Sequence, residues 1–306
     1  MPEDLRFIYG VSKAEVYRTI WRVVDAVNAA LPVEFPLNDP AKLEMLERQF
    51  RSKSRVETWT GQIGSVDGCH FAMHSPGKAV GNPNSYYVHR KGKFAMLATA
   101  VCDAERRFTF WDFNVLPTAH DSQAWALTSL GRDIAAGKLD SRYFMNGDSA
   151  YVSSDQMVVP YGKVTHTNFD FVQSSNRMCI ECAFGILIRR WGILWRPLEV
   201  DFDRRAGLIG CCMRLHNFCI DGRISEAHLA EMDGQPAVAV PPDGGLAARW
   251  ERTPKFKDGR PVQSLDWNSA AHGGAAGASS ARVRLTQAVE VAGFVRPDPT
   301  PTGMRR

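Results

Sequence analysis

Three acidic side chains in three different local settings have the chemistry to hold a pair of hard cations. Asp67 ends an apolar run in IGSVDGCHFAM, Asp148 follows a second short apolar run in YFMNGDSAY, and Glu181 lies inside a helical pattern in NRMCIECAFGILIRRW. Carboxylate oxygens suit Mg²⁺ or Mn²⁺. Two such ions can activate a water on one side of a phosphodiester and stabilise the leaving oxygen on the other. Two strand ends and a helix carrying these acids in this order predict a metal-dependent nuclease. Each acid also has an ordinary reading. Asp67-Gly68 and Asn146-Gly147 are turn dipeptides, and Glu181 lies four residues after Arg177, a helical pair worth about 0.2–0.5 kcal/mol. The expectation rests on the three together.

The elements that must position the acids show as changes of period. Ser12-Lys13-Ala14-Glu15 has capping-box spacing, and Val16, Ile20, Val23, Val24, Val27 and Leu31 recur as one helical face. Asp39 as N-cap and Pro40 in the first turn predict a second helix buried through Leu43, Leu46 and Phe50. From about Thr58 strand-like runs take over: IGSVDGCHFAM, KFAMLATAVCD and RRFTFWDFNVLP, the last two joined by a DAERR turn. A helix is expected from near Asp121 through AWALTSLGRDIAAG, then the strand YFMNGDS, then loop over Pro160 to Val172. Glu181 belongs to the next helix, with Ile180, Ala183, Phe184, Leu187 and Trp191 as its buried stripe and Arg177, Glu181, Gly185 and Arg189 beside it. A last helix spans about Leu208 to Ile220.

Three meandering strands, a helix and a fourth strand are the core order of ribonuclease H-like nucleases, in which the first and fourth strands lie side by side. Asp67 and Asp148 occupy those two strands. The expected fold class is therefore α/β: a ribonuclease H-like mixed sheet flanked by helices, with an N-terminal helical segment and a disordered C-terminal tail. The strings SVDGCH, HRKGKFAMLATAVCD, LPTAHDS, NGDSAY, IECAFGILIRRWGIL and CMRLHNFCID carry a closer likeness. Over roughly Val11 to Asp221 the chain resembles the DDE endonuclease domain of Harbinger transposases and the nucleases derived from them. That resemblance implies that Asp67, Asp148 and Glu181 are the catalytic, metal-holding acids of a two-ion Mg²⁺ or Mn²⁺ site. It matches Asp121, in His120-Asp121-Ser122, to a further position that serves as a secondary metal candidate; its ordinary reading is a helix N-terminal residue. It also implies DNA as substrate, a separate Myb-like DNA-binding partner, a homo-oligomer as one assembly, and a nuclear location with the cytoplasm as second. The family's upstream helices are usually longer, so 1–55 reads as the remnant of a helix-turn-helix-like region, 56–222 as the endonuclease domain and 223–306 as mostly disordered tail. The alternative is a domesticated transposase that binds DNA or a protein without cutting.

Bulk properties bound these readings. The chain has 306 residues, 44% of them apolar, enough for a packed core, and no run approaching the ~20 apolar residues of a membrane span. An acidic start, MPEDLRFIYG, does not resemble a secretory leader, and seven irregularly spaced cysteines point to reduced thiols in a soluble, intracellular protein. A charge of +4 suits a polyanionic partner without demanding one. Arg90, Lys91 and Lys93, together with Arg177, Arg189 and Arg190, are the candidate phosphate contacts, against the ordinary reading of a solvated face. Cys179-x-x-Cys182 with Cys211, Cys212, Cys219 and His216 admits a zinc site, but apolar neighbours favour core thiols. After Gly222 the texture turns rich in Gly, Ala, Pro and Ser, with a short helix to be considered in ARVRLTQAVEVAG.

Overall fold

A computed structural model describes residues 2–162, 166–222 and 279–297. Three helices open the chain: α1 (Pro2–Tyr9), α2 (Lys13–Ala30) and α3 (Pro40–Lys53). Ser12 Oγ accepts from Glu15 N at 3.2 Å and Asp39 Oδ1 from Lys42 N at 3.1 Å, so both predicted caps form. On α3, Leu43, Leu46 and Phe50 are buried as their spacing requires. On α2, Val16 and Val24 are buried but Val23 is 55% exposed, because neighbouring residues stand ~100° apart on a helix and the stripe is narrower than the run of valines.

The sheet is built from β1 (Gln62–Ala72), β2 (Tyr87–Val88), β3 (Lys93–Cys102), β4 (Phe108–Asp112), β5 (Phe144–Asn146) and β6 (Met157–Val158). Its order is β2-β3-β1-β5-β6, with β4 also on β3. β1 runs antiparallel to β3 and parallel to β5, and β6 is parallel to β5. Asp103 Oδ1 accepts from Glu105 N and Arg107 N, each at 2.9 Å, and closes the predicted β3–β4 turn. The crossover from β4 to β5 is not one helix but two, α4 (Asp121–Leu127) and α5 (Ser129–Ala135). Thr128 breaks it: its backbone is extended and its Oγ1 accepts from Gly131 N at 2.9 Å, an N-cap in mid-run.

Helices α6 (Thr167–Arg190) and α7 (Phe202–Asp221) follow, and α8 (Ser280–Val291) is the last described element. α6 begins at Thr167, inside the segment expected to be loop, because Phe169 and Val172 are buried against Trp59, Phe144 and Val158. On one sheet face α6 and α7 pack through Ile180, Phe184, Leu187, Ile209 and Met213 on Phe71, Ala98 and Phe108. The opposite core joins Leu43 and Leu46 of α3 and Leu130 and Ile134 of α5 to Ile63, Val66 and Val101. The result is an α/β fold, a mixed sheet between helices with ribonuclease H-like element order. The helix considered in the tail is α8, and it packs on the Trp59 cluster. The rest of the expected tail, 223–278 and 298–306, lies outside the described residues. No described helix is long and apolar enough to cross a membrane.

Candidate active site

β1 and β5 pair in parallel with Ser65 opposite Asn146. Asp67 is two residues past Ser65 and Asp148 two past Asn146, so the two-residue alternation of strands brings both acids to one level and one face. β5 has ended by then, and Asp148 sits in a turn where its Oδ1 accepts from Ala150 N at 2.9 Å. Asp67 Oδ1 accepts from Gly68 N at 2.8 Å. Ser65 Oγ donates to Asn176 O of α6 at 3.3 Å, so the face that carries Asp67 is the face that α6 covers. Glu181 comes from the turn of α6 after Asn176 and is 7% exposed.

The electrostatics tie these acids into one group. Burial pushes the Asp67 carboxyl up to about 7 against the pull of Arg177, with Asp148 and Glu181 adding repulsion. Glu181 is raised, first by burial and then by Asp148, while Arg177 opposes the shift. Asp121 at the start of α4 joins the group. Burial raises its carboxyl and Asp148 raises it further, with Arg90 and Lys91 pulling down. Gly68 makes the room, since a Cβ there would stand 3.0 Å from Asp121 Oδ1.

Such a set fits hard divalent cations. It offers four carboxyls whose repulsion a double charge relieves, and the buried Oε2 of Glu181 has no hydrogen-bond partner. Yet among the described residues no three His, Cys, Asp or Glu side chains stand as a ready ligand group. The positive charge comes instead from Arg177, whose Nη1 is 2.5 Å from Glu181 Oε1. Burial works against the Arg177 charge, and Glu181, Asp67 and Asp148 outweigh it. Arg177 is thus a half-buried cation inside the acid group, paired with Glu181.

The other bases differ among themselves. Arg90 is exposed, whereas Lys91 and Lys93 are half-buried. Lys91 Nζ lies 3.1 Å from His70 Nδ1, and His70 Nε2 lies 2.9 Å from Pro117 O. An ammonium only donates, so His70 accepts at Nδ1 and donates from Nε2. Burial keeps that ring neutral, its pKa lowered to about 4. Arg189 is exposed on the last turn of α6, and Arg190 Nη1 donates to His216 O of α7 at 3.4 Å. Both arginines stand roughly 12–14 Å along the helix axis from Glu181 at ~1.5 Å per residue. The aromatics interleaved with the bases pack locally: Tyr86 on Phe202, Tyr87 on Phe94, and Trp195 Nε1 donating to Ile188 O at 2.6 Å.

Sequence reasoning missed the polar network that locks the acid-bearing elements together. Gln173 of α6 donates to Asn146 Oδ1 and to Gly147 O, each at 2.6 Å, and Asn146 Nδ2 donates back to Gln173 O at 3.0 Å. Gln62 Nε2 donates to Ser65 Oγ at 3.0 Å. All four residues are buried. The signal that could have found them was polar residues at positions the strand and helix periods assign to the interior. Tyr151 was missed too: its buried hydroxyl has no partner and lies within the influence of Asp67, Asp121 and Asp148. Gln173→Leu strands Asn146 Oδ1 and the Gly147 carbonyl, so it is expected to cost about 1–3 kcal/mol in urea unfolding. A cost below about 0.5 kcal/mol, the level of an ordinary surface change, would show that the network is not a lock.

Residues 66–217 match the model of a family described as DDE superfamily endonuclease. No curated protein and no solved structure matches the chain. The matched span encloses Asp67, Asp121, Asp148 and Glu181.

Proposed function

Because residues 66–217 are a DDE superfamily endonuclease domain, we propose that the chain is a metal-dependent, transposase-like DNA endonuclease with Asp67, Asp148 and Glu181 as its catalytic acids. The observation that carries this reading is the shared electrostatics of three carboxyls delivered by β1, the end of β5 and α6. Mg²⁺ or Mn²⁺, two ions when bound, would supply an acidified water and charge stabilisation of the leaving oxygen. The chain's own part is to hold the oxygens. Asp67, influenced by both other acids, would be the ligand shared by the group. Asp148 and Glu181 would hold metal with it, and Asp121 would be a secondary ligand. Burial raises the Asp67, Asp121 and Glu181 carboxyls, so these three resist ionisation until a cation arrives. His70 holds the Lys91 ammonium, whose charge acts on Asp121 and which could take a phosphate oxygen. Mg²⁺-dependent nicking of supercoiled plasmid tests the reading, and purified protein that leaves the plasmid intact with either Mg²⁺ or Mn²⁺ would sink it.

Arg90 is an exposed cation whose charge acts on Asp121, Lys91 and His70. Phosphate contacts carry no base information, so sequence recognition would fall to a separate Myb-like partner in the nucleus. Arg90→Ala should weaken binding alike on unrelated duplexes and reduce the log–log salt slope by about 0.9 for each phosphate that Arg90 neutralises. Isotherms at several salt concentrations read both quantities, and an unchanged slope would remove Arg90 from the interface.

A further inference from the structure

We propose that Arg177 is the resident counter-cation of the acid group, and that it must release Glu181 for divalent metal to bind. The inference rests on the two-ion reading above and adds a competitor to it. Arg177 and Glu181 are one helical turn apart on α6, their side chains 13% and 9% exposed, with Nη1 and Oε1 2.5 Å apart. The other Glu181 oxygen, Oε2, is buried and unpartnered, so the guanidinium covers only half of that carboxylate. Asp67 and Asp148 also act on Arg177.

A surface pair at this spacing would contribute little. Here both members are buried, and removing the guanidinium would leave uncompensated charge among several carboxyls, which is costly. The same position makes Arg177 an obstacle to a second cation. A single and a double positive charge a few ångströms apart repel strongly in a protein interior, and Glu181 Oε1 cannot serve a guanidinium and a metal ion equally. Arg177 therefore exchanges with metal. Metal-free, it balances the acids and keeps α6 seated; metal-loaded, it leaves Glu181 and becomes free to meet a phosphate oxygen.

Mn²⁺ binding measured by calorimetry on the full chain, without DNA, separates the possibilities. Arg177→Gln is expected to bind Mn²⁺ at least about tenfold more tightly than wild type, because the competing charge is gone. Its metal-free melting temperature should fall by about 5 °C or more and recover on adding Mn²⁺. Adding Glu181→Gln to Arg177→Gln should restore the metal-free melt, since the stranded carboxylate is then removed. Mn²⁺ binding by the wild type with equal or weaker binding by Arg177→Gln would overturn the exchange and leave the two-ion reading standing. No Mn²⁺ binding by either protein would overturn both. Arginine side-chain NMR of the wild type gives a measurement independent of any variant's folding: the protected guanidinium signal of Arg177 should vanish at saturating Mg²⁺. Its persistence in metal-bound protein would also overturn the exchange.

Discussion

Asp67→Asn is expected to abolish Mg²⁺-dependent cleavage while making the metal-free protein more stable at neutral and alkaline pH. Loss of a shared ligand removes several kcal/mol of charge stabilisation, which is roughly a 10³-fold or larger fall in rate. Asp148→Asn and Glu181→Gln should show a comparable loss. The stability gain follows from the raised Asp67 carboxyl, about 7 in the fold against an ordinary 3.8. The folded state holds this proton more tightly than the unfolded chain. The favourable contribution is therefore complete below about pH 4 and is lost as pH rises through about 7. Asp103, raised by burial to about 6, adds to the same slope. The buried rings of His70 and His216, lowered to about 4, work in the opposite sense, costing stability as pH falls from 6.5. Subtracting the wild-type melting curve from that of Asp67→Asn between pH 5 and 8 isolates the Asp67 share. A variant that cuts DNA at the wild-type rate would remove Asp67 from the site, and a flat difference curve would show that its carboxyl is not held protonated.

What could be read from the sequence was whatever depends on neighbours along the chain. The Ser12 and Asp39 caps, the Asp103 turn and the Leu43, Leu46 and Phe50 face are decided within one or two turns of chain, and all stand as their spacing demands. That Asp67 on β1 and Asp148 just past β5 belong to neighbouring elements followed from element order, and β1 pairs with β5 through Ser65 and Asn146. Depth was less legible. The spacing of Arg177 and Glu181 announces a helical pair, but only the packing of α6 on β1 makes it a buried pair among other acids. Likewise Arg90, Lys91 and Lys93 look alike in sequence, whereas the fold exposes the first and half-buries the other two. Gln173 escaped notice because a lone glutamine on a helix is ordinarily a surface residue, and its partners Asn146 and Gly147 lie at and just past the end of β5, far away in sequence.

Ending the chain at Gly222 is expected to cost most of the domain's stability, although composition alone suggests that the nuclease would survive it. Every described residue beyond that point lies in or beside α8, and α8 is part of the core. Ala281, Leu285 and Val289 are buried in one cluster with Trp59, Phe144, Val158, Phe169 and Val172. Polar contacts fix the helix in place. Asp155 Oδ1 accepts from Ser280 N at 2.8 Å, Thr58 Oγ1 donates to Ala288 O at 3.0 Å, and the Arg282 guanidinium lies 3.6 Å from the Tyr161 ring centre. The surface that α8 covers includes the first residue of β5 and the first turns of α6, the two elements that deliver Asp148 and Glu181. Leu285→Ala in the full chain should cost about 2–5 kcal/mol, a large share of the ~5–15 kcal/mol typical of a domain. The shortened protein should melt well below the full chain or without cooperativity, bind Mn²⁺ more weakly, and recover both properties when a peptide of residues 279–297 is added. A shortened protein that melts within about 2 °C of the full chain, a difference of 1 kcal/mol or less at this size, would show that α8 is an ornament on a core complete without it.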